Sequence, residues 1–169
     1  MIEYNHWVVL FDLERCLIKH WDDPKIINVN NLRGLLTQIR EHNYTYVYGI
    51  YSYALWREEN RDIVINQLVP QLEPLLGIEF NEDYIFRTSE IISDFSEKHC
   101  PINYGAYCSV ISKEQSVMTF IKNNYRFKDC SVLVVDPTVT HGMNVYVPGE
   151  NTLMFINSNK LDDFVVMTN

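Results

Sequence analysis

Blocks of consecutive hydrophobic residues recur along the chain, and each block is followed by a polar loop or an amphipathic segment. The runs at residues 8 to 12, 45 to 51 and 132 to 136 are rich in β-branched and aromatic residues. Continuous apolar runs of this kind are typical of strands buried on both faces of a parallel sheet. Shorter runs predict the remaining strands, at residues 84 to 86, 145 to 147 and 153 to 156.

Helical spacing of apolar residues fills the intervals between these runs. It begins after Asn30 or Asn31, either of which could cap the first turn, and the predicted helix ends near His42 and Asn43. Residues 55 to 68 predict a second helix, because apolar residues again recur on one face.

Prolines, a glycine and a capping box place the later helices. Pro70 and Pro74 bracket a shorter helix that Gly77 stops. Ser112 forms a capping box with the glutamine that follows three residues later. This box predicts a helix from residue 113 to about residue 124.

Weak periodicity marks the remaining segments as irregular. Residues 17 to 29 predict a hairpin or loop, a flap at most, and residues 88 to 105 predict a loop with a short helix. Strands that alternate with helices predict an α/β fold in which a doubly wound parallel sheet carries helices on both faces. We expect one domain over residues 1 to 169, with a minimal cap or none.

Composition narrows the class of protein. The chain has 169 residues, and 47% of them are hydrophobic, which is enough for a packed core. Without a secretory signal or an apolar run near the roughly 20 residues of a membrane span, it is expected to be soluble and cytoplasmic, or in the host cytoplasm if viral. The cysteines lack paired short spacing, which predicts reduced thiols at Cys16, Cys100, Cys108 and Cys130.

The net charge of -8 limits the partners of the protein. It would repel nucleic-acid phosphates, and no block of lysine or arginine offsets it, so binding along an extended duplex is disfavoured. A phosphorylated small molecule, a strand end held at one phosphate and a protein partner all remain compatible with this charge.

Polar residues that could take part in catalysis or binding lie where the predicted strands end. Asp12, Ser52 and Asp136 close the principal apolar runs, and Lys113 opens a predicted helix. The carboxyl ends of parallel strands meet near the switch point of the sheet, where ligands bind. Two carboxylates there can hold Mg²⁺, while a lysine and a hydroxyl neutralise phosphate charge. An aspartate can also attack phosphorus and form an aspartyl-phosphate that water then hydrolyses.

These motifs, in this order, resemble those of the haloacid dehalogenase superfamily over most of the chain. Val-Val-Leu-Phe-Asp at residues 8 to 12 resembles the first motif and Ser52 the second. Ser-Lys at residues 112 and 113 resembles the third, and Val-Leu-Val-Val-Asp at residues 132 to 136 the fourth. The resemblance implies a Rossmann-like fold and a Mg²⁺-dependent phosphomonoesterase.

The same resemblance implies a role for each residue. Asp12 would be the nucleophile and Glu14 the acid and base, while Ser52 and Lys113 would bind phosphate. Asp12, Asp136 and the Glu14 carbonyl would hold Mg²⁺. The short cap segments imply an open site that acts on nucleotides or nucleic-acid ends, similar in outline to the phosphatase half of phage polynucleotide kinases.

The first motif departs from the family pattern. Active members carry Asp-x-Asp-x-Thr, whereas residues 12 to 16 read Asp-Leu-Glu-Arg-Cys, with Arg15 where a glycine is usual. Pro137 also follows Asp136 where a second acidic residue is common. The alternative hypothesis is therefore a catalytically decayed member, of phage origin, that inhibits or regulates another protein through its surface.

Simpler explanations exist for each residue taken alone. A strand-end aspartate can cap a loop, and Lys113 can be a solvated residue of a first helical turn. His141, after the fourth motif, is most simply a polar loop residue. Tyr51 and Tyr53 flank Ser52, where they could stack on a base.

Overall fold

The computed structural model describes residues 6–91, 112–146 and 152–161. In these ranges, a mostly parallel sheet carries helices on both faces. The strands are β1 (His6–Phe11), β2 (Ile18–His20), β3 (Asp23–Ile26), β4 (Thr45–Ile50), β5 (Phe80–Ile85), β6 (Ser131–Asp136), β7 (Met143–Tyr146) and β8 (Thr152–Asn157). The helices are α1 (Val29–Arg40), α2 (Glu58–Ile63), α3 (Val69–Leu76), α4 (Thr88–Ile91) and α5 (Lys113–Lys122), with a π-helical stretch (Val64–Leu68) between α2 and α3 and a 3₁₀ turn (Tyr125–Phe127) before β6.

The sheet has the strand order β5-β4-β1-β6-β8-β7. All pairings from β5 to β8 in this order are parallel, which confirms the predicted α/β fold, but β7 lies antiparallel to β8 at the edge. The antiparallel edge strand was not predicted. The connection from Tyr146 to Thr152 is too short for a parallel crossover, which needs about a dozen residues, so the two strands form a hairpin.

The central strand β1 supplies side chains to both faces of the sheet. Val9 and Phe11 pack in a cluster with α1, the π-helical stretch and α3, whereas Val8 and Leu10 pack in a second cluster with α5. All of these side chains are fully buried. Because successive strand residues point to opposite faces, a strand covered on both faces has to be apolar at every position, as residues 8 to 11 are.

The first helix begins earlier than predicted. α1 starts at Val29 with Asn28 at its N-terminal boundary, rather than after Asn30 or Asn31. The Asn28 side chain donates to the Cys16 carbonyl at 3.0 Å and does not cap the helix. It holds the loop after β1 against the start of α1.

The helix predicted from residue 55 begins at Glu58, and Pro74 lies inside α3 rather than at its end. The predicted boundary at residue 68 falls where α3 begins, within a continuous helical segment from Glu58 to Leu76. Its π-helical stretch comes directly before α3, where Pro70 stands in the first turn. Proline has no N–H and its ring crowds the preceding turn, and a wider π turn relieves that crowding. Gly77 ends α3 in the left-handed conformation with φ of 70°, as predicted.

Smaller features agree with the sequence in part. The flap is a hairpin of β2 and β3, and β5 lies at the predicted place but begins at Phe80. Ser112 caps α5, since its hydroxyl accepts from the Gln115 N–H at 3.2 Å. Within the described ranges, no helix has both the length and the apolar character to cross a membrane.

Two of the four cysteines lie in the described residues. Cys16 is a free thiol, as predicted, and both Cys16 and Cys130 are buried. Cys100 and Cys108 lie outside the described residues, as does most of the loop predicted for residues 88 to 105.

Gly49 lies in β4 where the backbone of β5 approaches closely. A Cβ at this position would collide with the Tyr84 carbonyl oxygen and lie 2.6 Å from the Tyr84 Cβ. We expect Gly49→Ala to lower the free energy of unfolding by about 1–3 kcal/mol, because backbone cannot yield as a flexible side chain can. The matched control is Gly34→Ala in α1, where a Cβ meets nothing within 4 Å and alanine should stabilise the helix. Equal denaturation midpoints for the two variants would contradict this.

Candidate functional site

The predicted site residues converge at the carboxyl edge of the sheet. Asp12 follows β1, Ser52 follows β4 and Asp136 ends β6, and these are three neighbouring strands. From β1 the chain continues on one side to β4 and β5 and on the other to β6 and β8, so the site lies at the switch point. Lys113, the first residue of α5, joins them from the helix layer.

A cavity of about 550 Å³ opens at this edge. Asp12, Ser52 and Lys113 line it together with Glu14, Arg15, His20, Tyr53, Ala54, Ser112, Glu114 and Thr138. Asp136 lies beneath it and is fully buried. Every residue that the sequence predicted for the site is thus at the cavity or directly under it.

Lys113 forms the electrostatic centre of the site. Its Nζ lies 2.9 Å from Asp136 Oδ2 and 3.8 Å from Asp12 Oδ1. The side chains of Lys113, Asp12 and Asp136 are 8%, 14% and 0% exposed, so these charges are screened far less than a surface pair. Burial opposes the charged ammonium, yet the two aspartates overcome it and raise the pKa of Lys113.

Thr138 fixes the orientation of Asp136. Its N–H and its hydroxyl both donate to Asp136 Oδ1, at 2.7 and 2.6 Å. Burial would raise the pKa of Asp136, but the Lys113 ammonium and the two Thr138 hydrogen bonds together lower it. Asp136 is therefore ionised at neutral pH and provides the permanent negative charge of the site.

Asp12 is in a different electrostatic state. Burial raises its pKa from 3.8 to about 7, Lys113 opposes the rise and the Asp136 charge adds to it. The Leu13 N–H donates to Asp12 Oδ1 at 2.8 Å, and a hydrogen bond from Ser52 also favours the carboxylate. Two aspartates whose pKa values are pushed apart in this way can take different chemical roles.

Two tyrosines position the Lys113 side chain. Its Nζ lies 4.3 Å from the centre of the Tyr53 ring and 5.3 Å from that of Tyr51. The hydroxyls of both tyrosines contact Ser116 Oγ, at 2.7 and 2.8 Å, one turn after Lys113 in α5. Tyr51 is 1% exposed, so it cannot stack on a base. The two rings instead attract the ammonium as cation–π partners.

Glu14 both lines the cavity and forms a hydrogen bond to the β2–β3 hairpin. Its carboxylate accepts from the Trp21 N–H at 3.0 Å, which ties the loop after β1 to the turn between β2 and β3. Glu14 also lines the cavity, where the sequence predicted the acid and base.

Cys16, at the position where the motif resemblance implies a threonine, orients the loop after β1. Its fully buried thiol donates to the Val135 carbonyl at 3.5 Å. Burial raises its pKa well above the ordinary value, and the charges of Asp12 and Asp136 add to this. A neutral, inaccessible thiol is a structural group rather than a nucleophile.

The described side chains do not form a metal site as they stand. Asp136 Oδ1 accepts from the Thr138 N–H and hydroxyl, and Asp136 Oδ2 lies 2.9 Å from Lys113 Nζ. Among the described residues, no group of three or more His, Cys, Asp or Glu side chains could hold a metal ion. The predicted Mg²⁺ set does not fit this arrangement, in which Lys113 lies between the two carboxylates.

His141 holds a loop and does not line the described part of the cavity. Its Nδ1 accepts from the Asn157 N–H at 3.1 Å, and the Asn157 side chain donates to the carbonyls of Pro137 and Val139. These contacts join the loop after β6 to β8. A polar loop residue was the simpler prediction for His141, and the geometry agrees with it.

Sequence reasoning missed the supporting residues Thr138 and Ser116. A threonine two residues after a strand-end aspartate is a signal for a side-chain-to-backbone turn, and this signal was present. Ser116 shares a helix face with Lys113, but its tyrosine partners lie more than 60 residues away in sequence. The contact between Ser116 and the tyrosines could be found only from the folded structure.

No family model, curated protein or solved structure matches the chain. The α/β architecture is compatible with a Rossmann-like fold, and the haloacid dehalogenase resemblance stays a prediction from the motifs.

Proposed function

We propose that the protein is a phosphomonoesterase that acts through an aspartyl-phosphate on nucleotides or nucleic-acid ends. The observation that carries the proposal is the shared cavity of Asp12, Ser52 and Lys113 at the switch point of the sheet. It brings a carboxylate, a hydroxyl and a buried cation to one place, which is the set that phosphoryl transfer needs.

The proposed reaction has two displacements at phosphorus. An Asp12 oxygen forms a bond to phosphorus while the bond from phosphorus to the ester oxygen breaks, and Glu14 gives that leaving oxygen its proton. Water then attacks phosphorus, Glu14 takes a proton from the water, and phosphate leaves as Asp12 is restored. Ser52 and Lys113 hold the phosphoryl oxygens and offset their charge during both steps.

Asp12→Asn is expected to abolish phosphate release, because the amide cannot serve as the nucleophile. We expect a loss of roughly 10⁴-fold or more in kcat. The assay uses nucleotides and oligonucleotides with a 3′- or 5′-phosphate, and the matched control is Asp62→Asn, an exposed aspartate in α2. Turnover that survives in a folded Asp12→Asn variant would contradict the proposal.

Mg²⁺ dependence is tested separately from the proposal. The resemblance implies the metal, whereas the arrangement around Lys113 leaves the carboxylates already engaged. Assays with Mg²⁺ and with EDTA decide between a metal-dependent reaction and one in which Lys113 supplies the positive charge. Activity that is lost in EDTA supports the metal, and activity that persists makes Lys113 the main cation of the site.

A second candidate function is regulation of another protein without catalysis. It is favoured by the first motif, in which the Glu14 carboxylate is held by Trp21 and Arg15 occupies the usual glycine position. This candidate predicts no turnover above that of Asp12→Asn in folded protein, and a protein partner whose binding tolerates that substitution.

A further inference from the structure

Arg15 stands in the candidate motif in a backbone conformation that arginine rarely adopts. Its φ is 61°, in the left-handed region that favours glycine. The turn is held there because the Arg15 N–H donates to the Ile18 carbonyl at 2.7 Å and Ser158 Oγ donates to the Arg15 carbonyl at 3.3 Å. A larger residue kept at such a position is often explained by function.

The Arg15 side chain lies at the mouth of the cavity. It is exposed and lines the same cavity as Asp12 and Lys113. Among the described residues, no carboxylate lies within ion-pair distance of its guanidinium. By contrast, neighbouring Lys19 lies 3.5 Å from Asp23 and does not border the described cavity.

The other charges of the cavity are already engaged. Glu14 accepts from Trp21, Glu114 accepts from the Thr140 N–H at 2.7 Å, and Lys113 is paired with the buried aspartates. Arg15 is thus a cation without a described acidic partner, placed outside the buried Lys113. An arginine guanidinium suits phosphate oxygens, because its planar fork can donate two parallel hydrogen bonds.

We infer that Arg15 binds a second phosphate group of the substrate, beyond the phosphomonoester held by Ser52 and Lys113. The inference rests on the proposed function and narrows its substrate class to compounds with two phosphates. Such a compound is a nucleoside bisphosphate, or a strand end whose terminal phosphate is followed by a phosphodiester.

Calorimetry in the Asp12→Asn background tests this without turnover. The ligands are a nucleoside 5′-monophosphate, the matching 3′,5′-bisphosphate and a 5′-phosphorylated dinucleotide. We expect the bisphosphate to bind roughly tenfold more tightly than the monophosphate. Adding Arg15→Gly should bring this ratio towards one, whereas Lys19→Gln should preserve it. The dinucleotide shows whether a phosphodiester can replace the second monoester.

The melting temperature of Arg15→Gly separates a binding role of Arg15 from a structural role. Glycine accepts positive φ without strain, so Arg15→Gly should not lower the melting temperature. A lower melting temperature, an unchanged affinity ratio, or binding of neither ligand would overturn the inference. The proposed function is judged separately by phosphate release from the parent protein. If the parent protein releases phosphate but Arg15→Gly leaves the ratio of bisphosphate to monophosphate affinity unchanged, the proposed function stands and only the second-phosphate site is ruled out.

Discussion

Lys113→Met is expected to lower the free energy of unfolding at pH 7 by roughly 3–5 kcal/mol. Methionine keeps an unbranched side chain but removes the ammonium group that lies 2.9 Å from Asp136 Oδ2. Asp136 is fully buried, and apart from Lys113 that oxygen has no hydrogen-bond partner among the described residues. Loss of one partner of a buried pair leaves the other charge uncompensated, which costs much more than loss of an exposed pair. Denaturant titration of both proteins measures the difference.

Lys122→Met is the matched control, because Lys122 is an exposed residue in the last turn of the same helix. Its loss removes only an interaction with the helix C-terminus, worth up to about 1 kcal/mol. Adding Asp136→Asn to Lys113→Met removes the stranded charge and should restore part of the stability. Equal losses at the two lysines would show that the buried ion pair contributes no more than a surface charge.

The location of the site could be predicted because it follows from strand ends. Asp12 and Asp136 come directly after apolar runs that have to lie in the middle of the sheet, and parallel neighbours end at the same edge. Ser52 follows a third run of this type. The pattern therefore placed these side chains together before any contact between them was known.

The electrostatic state of the site could not be predicted, because it depends on contacts between distant segments. Lys113 was expected to bind phosphate, yet its pairing with both aspartates and its position beside Tyr53 depend on how α5 packs on the sheet. The start of α1 was misplaced for a related reason. The Asn28 side chain donates to the Cys16 carbonyl across the hairpin, and local capping preferences do not reveal this contact.

Asp12→Asn is expected to become more stable than the parent protein as the pH rises. Folding raises the pKa of Asp12 from 3.8 to about 7 through burial, with Lys113 opposing the rise. Between these pH values the folded protein holds a proton that the unfolded chain releases, so the stability of the parent falls as the pH increases. Asparagine has no such proton. The variant should gain up to roughly 4 kcal/mol relative to the parent between about pH 4 and pH 7, with no further gain above.

Denaturation at several pH values measures this difference, and Asp62→Asn should show a difference that stays flat over the same range because Asp62 is exposed. A flat difference for Asp12→Asn would mean that Lys113 fully compensates the burial of Asp12, which then ionises near its ordinary pKa. A rising difference would mean that the folded protein holds a carboxylate at a cost in stability. Proteins commonly accept such costs at sites that perform chemistry, so a rising difference would favour a working nucleophile over a decayed one.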